Sequence, residues 1–145
     1  MSRIESIVVG FDGSNDSRTA LRWAADLATL AGARLRIVHA VGLLEHAGLG
    51  TTIEIHREKA VQTATDAGLS LADIEWSVVD GDPCSALLRM TEAPESADLV
   101  VVGTRGSNAK SGSILGSTSL ELAERSTVPV VIVPTETLDS ANHHN

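Results

Sequence analysis

The chain has 145 residues, 43% of them hydrophobic, which is enough for one domain with its own core. Its formal charge of -8 argues against a nucleic-acid partner, because phosphate backbones are bound by clustered Lys and Arg. No apolar run approaches the roughly 20 residues that span a bilayer, and the N-terminus has no signal-peptide pattern. A single cysteine excludes an internal disulfide framework, so the composition predicts a cytoplasmic protein.

Strand and helix patterns alternate along the chain. In chain order the predicted strands are Ser6–Phe11, Arg34–Val41, Ile74–Val79, Asp98–Val102 and Val128–Val133. The predicted helices run from Ser14 to Gly32, from Thr51 to Ala67, from Pro83 to a residue before Pro94, and from Gly116 to Ser126. Because a helix separates each strand from the next, the strands form a parallel sheet with helices on both faces. The sequence therefore predicts one doubly wound α/β domain over residues 1–134 and a polar, disordered tail over residues 135–145.

Short signals mark where several of these helices begin and end. Asp12-Gly13-Ser14 forms a turn that also supplies a helix cap. Asp82 is an N-cap residue directly before Pro83, and proline is favoured at the first helical position. Gly32 and Gly68 end the first two helices, because glycine readily adopts the left-handed conformation found after a helix.

The fourth strand runs into a segment rich in glycine and hydroxyl residues, with the spacing Gly103-x2-Gly106-x9-Gly116-Ser117. Glycine lets the backbone approach a ligand closely, and the first N–H groups of a helix have no intrahelical partner. Serine and threonine hydroxyls add donors without bulk. The pattern predicts a cradle for a phosphate group. Its candidate residues are Gly103, Thr104, Arg105, Gly106, Ser107, Gly116, Ser117, Thr118 and Ser119.

Asp12 follows the first strand, as Gly103 follows the fourth. In open parallel sheets, ligands bind outside the carboxyl ends of the strands, where the strand order reverses. If these two strands are neighbours, both residues face one crevice. A carboxylate repels a phosphate but accepts hydrogen bonds from hydroxyls and binds magnesium. We therefore expect Asp12 at a ribose or at a metal ion; the alternative is that it only forms the turn.

The spacing of the candidate residues excludes several known kinds of functional site. Lys110 does not complete a P-loop, because Ala109 rather than glycine precedes it and Gly112 follows Ser111. Gly10-x-x-Gly13 is not the dinucleotide fingerprint. No Ser-His-Asp arrangement can be assembled, and a phosphate-receiver domain would require an acidic neighbour beside the first aspartate. The sequence therefore predicts a binding module.

With these motifs, the chain resembles the universal stress protein family over nearly its whole length. Its glycine spacing matches the pattern of the branch that binds ATP. The resemblance implies a Rossmann-like, adenine nucleotide alpha hydrolase-like sheet of order 3-2-1-4-5. It also implies a bound adenine nucleotide, with ATP expected first, with or without Mg, and with at most slow hydrolysis of ATP. It also implies that Gly10 lies against the nucleotide, that Asp12 contacts it, and that the backbone around Val41 borders the adenine. Phe11 stands where the family has a small residue or proline, so its ring could narrow the base pocket.

The resemblance also implies a homodimer formed through the last strand. Val128–Val133 is apolar and carries no charged residue, and such an edge needs a cover. The same strand of a second copy, paired antiparallel about a two-fold axis, would provide it. Two alternatives remain open: a binder of cyclic AMP or AMP, and a dimeric interaction protein whose crevice stays empty.

Four further residues carry weaker expectations. His39 is predicted to be a core or crevice histidine bonded to the backbone, and Cys84 a packing residue or a thiol activated by the helix start. Trp23 and Trp76 are expected to be core or half-buried. Because aromatic residues make up only 2% of the chain, an adenine would have to lie between aliphatic side chains.

Overall fold

The structure, a computed structural model, describes residues 3–41, 50–104 and 115–135. In these ranges the elements, in chain order, are β1 Ser6–Gly10, α1 Asn15–Ala31, β2 Arg34–Val41, α2 Gly50–Asp66, a 3-10 turn Leu71–Asp73, β3 Ile74–Asp80, α3 Pro83–Arg89, β4 Leu99–Gly103, α4 Ser117–Arg125 and β5 Val130–Val133. The strands form one parallel sheet in the order β3-β2-β1-β4-β5. This confirms both the doubly wound fold and the strand order that the family resemblance implied.

The two faces of the sheet are covered by different helices. On one face, β1 packs Ile7 and Val9 against the buried alanines of α1 and α2, which are Ala20, Ala24, Ala25, Ala28, Ala60 and Ala64. On the other face, Val8 packs with Leu87 of α3 and Leu122 of α4. Ile7, Val8 and Val9 in the middle of β1 are all fully buried, because both faces of this strand are covered. This explains why the strand reads as an unbroken aliphatic run rather than an alternating one.

The predicted helix caps are confirmed. The hydroxyl of Ser14 accepts a hydrogen bond from the Ser17 N–H at 3.2 Å, and Gly32 ends α1 with φ +68°. The carboxylate of Asp82 accepts from the Ser85 N–H at 3.0 Å, which caps α3. The backbone and hydroxyl of Ser85 both hold the pKa of Asp82 below its usual value, because they stabilise the charged form. These ends follow from hydrogen bonds between residues close in sequence.

The observed boundaries can be compared with the predicted ones. Helix α3 ends at Arg89, before Pro94 as predicted, with Met90 at its C-cap. Strand β4 begins at Leu99, one residue later than predicted. Asp98 still contacts the start of β1, because its N–H donates to the Ser6 carbonyl at 2.8 Å and its carboxylate accepts from the N–H groups of Glu5 and Ser6 at 2.9 and 3.1 Å. Trp76 is half-buried as expected, whereas Trp23 is 40% exposed on the surface of α1.

The predicted tail falls almost entirely on residues that the structure does not describe. Residues 136–145 lie outside the described ranges, so the prediction of a disordered tail stays a prediction. Within residues 3–41, 50–104 and 115–135, no helix combines the length and the apolar character that a membrane span requires.

Candidate functional site

The site is built where two neighbouring strands end in glycine. Strands β1 and β4 pair in parallel, with Val9 opposite Val101, and end at Gly10 and Gly103. Strand β1 connects to β2 on one side, and β4 connects to β5 on the other, so the strand order reverses between them. This is the place where open parallel sheets leave a crevice at the carboxyl ends of their strands. The turn that carries Asp12 and the segment that begins at Gly103 both open onto it.

Gly103, the last residue of β4, packs closely against the first turn of α1. A Cβ atom at this position would lie 2.7 Å from the carbonyl oxygen of Asp16 and 2.8 Å from its carbonyl carbon. Real side chains are not found at such distances from backbone atoms. The glycine is therefore required by the packing of the strand against the helix, independently of any ligand.

Hydrogen bonds hold Thr104 between the N-terminal ends of two helices. The Thr104 hydroxyl donates to the Asp16 carboxylate of α1 at 3.1 Å. The Thr104 carbonyl accepts from the N–H of Gly116, which precedes α4, at 2.7 Å. The first turns of α1 and α4 are thus brought to the same end of β4.

Ser119 lies in the predicted run of donors but points inward. Its side chain is 2% exposed, and its hydroxyl donates to the Gly103 carbonyl at 2.8 Å. A hydroxyl has one proton, so this side chain serves the packing of α4 on β4. Any contact from Ser119 to a ligand would therefore come from its backbone.

In the part of the chain that the structure describes, the N-terminus of α4 has no side-chain cap. Gly116 is the N-cap residue, with φ -76° and ψ 165°, and it makes no side-chain cap hydrogen bond. Ser117 is exposed and Thr118 half-buried in the first turn that follows. Arg105, Gly106 and Ser107 lie outside the described residues, so their predicted contacts stay predictions.

Asp12 forms a tight turn before α1. Its carboxylate accepts from the Ser14 N–H at 2.9 Å, and its own N–H donates to the Ser17 hydroxyl at 3.2 Å. Gly13, between them, has φ +85°, a conformation that glycine adopts without steric cost. Asp12 therefore forms the turn, which is compatible with both expectations for this residue, and it is half-buried.

Gly10 and Val41 are the last residues of β1 and β2. A Cβ atom on Gly10 would lie 3.2 Å from the Cδ1 atom of Leu87, so this glycine makes room for a core side chain. Val41 ends β2, is 1% exposed, and its carbonyl accepts from the Gly81 N–H at 3.1 Å.

Cys84 is not an activated thiol. Its side chain is 1% exposed, and its sulfur lies 3.9 Å from an Arg125 guanidinium nitrogen. Burial raises the pKa of the thiol, and the carboxylate of Glu121 raises it further, against the opposing effect of Arg125. The neutral thiol is favoured, which supports the packing role.

The sequence did not identify two residues that shape this end of the sheet. Asp16 is buried and accepts from Thr104, yet an aspartate in a first helical turn is common and carries no further signal. The His56 ring of α2 lies over Gly13, because a Cβ atom there would be 2.2 Å from His56 Cε1. Only the packing of α2 on the turn brings these residues together.

The sheet order, the helices on both faces and the crevice between β1 and β4 define a Rossmann-like protein. A family model described as the universal stress protein family matches residues 3–134. The chain belongs to that family.

Known relatives agree with this assignment. A universal stress protein of Mycobacterium tuberculosis is 32% identical over 134 residues, which cover 90% of this chain and 48% of that protein. The chain therefore spans about half the length of this curated relative. The crystal structure of a universal stress protein in complex with cAMP has 34% identity and a TM-score of 0.77, covering 93% of this chain and 100% of that one. A universal stress protein from Archaeoglobus fulgidus in complex with dAMP shares the fold at 19% identity, with a TM-score of 0.69 and coverage of 91% and 98%.

The two strand-end glycines should differ in their tolerance of a methyl group. Gly103→Ala places its Cβ against fixed backbone of Asp16, whereas Gly10→Ala meets only the end of the Leu87 side chain. We expect Gly103→Ala to lower the free energy of unfolding by about 2–3 kcal/mol and Gly10→Ala by less than about 1 kcal/mol. Urea unfolding of both variants measures the difference. Equal losses would contradict the close contact between β4 and α1.

Proposed function

We propose that this protein binds an adenine nucleotide, ATP by preference, in the crevice between β1 and β4, and acts as a regulatory binding module of a stress response. The observation that carries the proposal is the convergence of the α1 and α4 N-termini on Gly103 and Thr104. The related structure in complex with cAMP, which is 34% identical to this chain, supports the adenine nucleotide.

The phosphates belong, in this proposal, at the start of α4. Its first N–H groups carry the positive end of the helix dipole, and Gly116 adds no side chain in front of them. The glycine spacing from Gly103 through Gly106 and Gly116 to Ser117 is the pattern of the ATP-binding branch. Arg105 and Lys110 would add positive charge to a chain whose net charge is -8.

The ribose and the base belong at the other side of the crevice. The Asp12 carboxylate would accept from a ribose hydroxyl or bind a Mg²⁺ ion that accompanies the phosphates. Gly10 and the backbone around Val41 would border the adenine. Phe11 does not narrow this space from within, because its ring is 3% exposed and packs in the core under α1 and α2.

A monophosphate or a cyclic nucleotide is the second candidate. The specific observation in its favour is the cAMP complex of the related protein. Asp12 and Gly10 would contact the ribose and base of either ligand. The preference for ATP, AMP or cAMP would therefore depend on the residues around the phosphates. Competition between ATP, AMP and cAMP for the purified protein would rank them.

A side chain at Gly116 should fill the space in front of α4 and strongly weaken nucleotide binding. Gly116 has φ -76°, which any residue adopts, so Gly116→Val adds a side chain without straining the backbone. We expect its affinity for ATP to fall by about a hundredfold or more, equivalent to at least about 2.7 kcal/mol. Titration calorimetry measures it. Ser126→Val, at the opposite end of the same helix, is the control and should bind as the wild type does. Unchanged affinity in Gly116→Val would refute this phosphate position.

The charge of Asp12 distinguishes its two possible neighbours. Asp12→Asn retains the oxygen that accepts from Ser14 and therefore keeps the turn. If Asp12 contacts the ribose or magnesium, affinity for ATP should fall by about threefold to tenfold and depend less on Mg²⁺. Calorimetry with and without MgCl₂ gives both quantities. Tighter binding by the variant would instead indicate that Asp12 lies beside the phosphates and repels them.

We further propose that two copies pair through β5. This strand is at the edge of the sheet, and Val130, Val131 and Ile132 remain half-buried. On α1, Trp23 and Leu30 are 40% and 86% exposed. With Leu27 they form an apolar stripe along one side of α1. The hydroxyl of Thr29, on a different side of the helix, donates to the Ala67 carbonyl just after α2, so the stripe faces away from α2. Among the described residues, no strand pairs with the outer side of β5. An apolar surface and such a strand edge favour a second copy of the chain as their cover.

The direction of the β5 N–H groups allows a selective test of the dimer. The Val100 N–H donates to the Pro129 carbonyl, so the alternation of a parallel ladder turns the Ile132 N–H away from β4. Ile132→Pro should therefore spare the ladder but convert a dimer into monomers, whereas Ile132→Val should remain dimeric. Light scattering at micromolar concentration measures both. A monomeric wild type would overturn the proposal.

A further inference from the structure

Four rings gather beside the Asp12 turn, in a chain with very few aromatic residues. His39 of β2 stacks on Trp76 of β3, with ring centroids 5.8 Å apart and an angle of 20° between the rings. The His56 ring of α2 lies 5.3 Å from His39 and 6.0 Å from Phe11. The Phe11 ring is 6.3 Å from Trp76. The cluster joins the segment after β1 to two strands and a helix.

His39 is the polar link in this cluster. It is 6% exposed, and its Nδ1 atom lies 2.8 Å from the Phe11 carbonyl oxygen. A carbonyl can only accept, so Nδ1 carries the proton and donates it. The buried imidazole is thus held in one tautomer by the backbone of the residue before Asp12.

The hydrogen bond from His39 acts on the peptide group that leads into Asp12. The Phe11 carbonyl and the Asp12 N–H belong to one planar peptide. His39 donates to the oxygen of that peptide, and the Ser17 hydroxyl accepts from its N–H at 3.2 Å. The plane is therefore held at both ends, once by β2 and once by α1, which determines the direction in which the chain leaves the sheet.

The neighbouring contacts show how little freedom is left to this turn. The Phe11 N–H extends the pairing with β2 by donating to Val38 at 2.9 Å. The His56 ring covers Gly13 so closely that a Cβ atom would lie 2.2 Å from it. With the peptide plane held and Gly13 covered, the position of the Asp12 carboxylate depends on where His39 holds the Phe11 carbonyl.

We propose that His39 is a positioning residue of the nucleotide site: its Nδ1–H orients the Phe11–Asp12 peptide and thereby aims the Asp12 carboxylate into the crevice. The inference rests on the proposed function and adds a residue that need not contact the nucleotide. The ring itself contributes packing against Trp76; the donated hydrogen bond contributes the alignment. These two contributions are separable by substitution.

The test compares two replacements of His39. His39→Asn carries an N–H donor at the same distance from the backbone, whereas His39→Leu has similar bulk and no donor. We expect affinity for ATP to fall about tenfold in His39→Leu and to stay within about threefold of the wild type in His39→Asn, the size of one lost buried hydrogen bond. Titration calorimetry measures the affinities, and thermal unfolding shows whether either variant loses its fold.

Ser17→Ala provides a second route if a His39 variant does not fold. Alanine is favoured within a helix. The change removes the partner at the other end of the same peptide, together with the hydrogen bond that the Ser17 hydroxyl donates to the Ser14 carbonyl at 3.0 Å. We expect it to weaken ATP binding about fivefold. Wild-type affinity in both Ser17→Ala and His39→Leu would overturn the proposal, as would equal losses in His39→Asn and His39→Leu, which would assign the effect to the ring.

Backbone amide spectra of the nucleotide-free variants separate this proposal from the proposed function. The signals of Asp12 and Gly13 should move in His39→Leu and remain near their wild-type positions in His39→Asn. If the wild type binds no adenine nucleotide, the proposed function fails while these signals still report whether His39 orients the turn. Signals that stay unchanged in His39→Leu would refute the positioning role.

Discussion

The close packing of β4 against the first turn of α1 is the contact on which the crevice depends. No side chain fits at Gly103, because its Cβ would meet the backbone of Asp16 at 2.7 Å. This approach places the start of α1, and the Asp12 turn before it, directly beside the end of β4. A larger residue would separate the helix from the strand and remove the hydrogen bond from Thr104 to Asp16.

The polar groups around this contact satisfy one another. Thr104 donates to Asp16, Ser119 donates to Gly103, and the Gly116 N–H donates to Thr104. Each bond joins segments far apart in sequence, so the carboxyl end of β4 is held in place by both flanking helices. Such prior ordering reduces the conformational entropy that a ligand must remove on binding. The hydroxyl-rich sequence of the α4 start thus has two functions, since Ser119 supports the fold and Ser117 remains exposed.

The features that sequence reasoning identified correctly are those with local physical causes. Ser14 and Asp82 are N-caps because their side chains reach N–H groups three residues ahead. Strand β1 was recognisable because burial on both faces requires an unbroken apolar run. The end of α3 at Arg89 and the exposure of Trp23 were not predictable in this way, because each depends on what the rest of the chain places beside it. The ring cluster shows the same limit, because its members come from two strands, one helix and the segment after β1.

Sequence alone determined the alternation of strands and helices, the glycine spacing after β4 and the family resemblance, because these are properties of residue order and local hydrogen bonding. Tertiary structure decided which hydroxyls point inward, that no side chain fits at Gly103, and that His39 forms a hydrogen bond with the Phe11 carbonyl before Asp12. The strand order belongs to neither group alone: the family resemblance implied it, and the assembled sheet showed it. The physical reason is that contacts such as Gly103 with Asp16 and His39 with Phe11 join residues tens of positions apart, and their distances exist only once the sheet has formed.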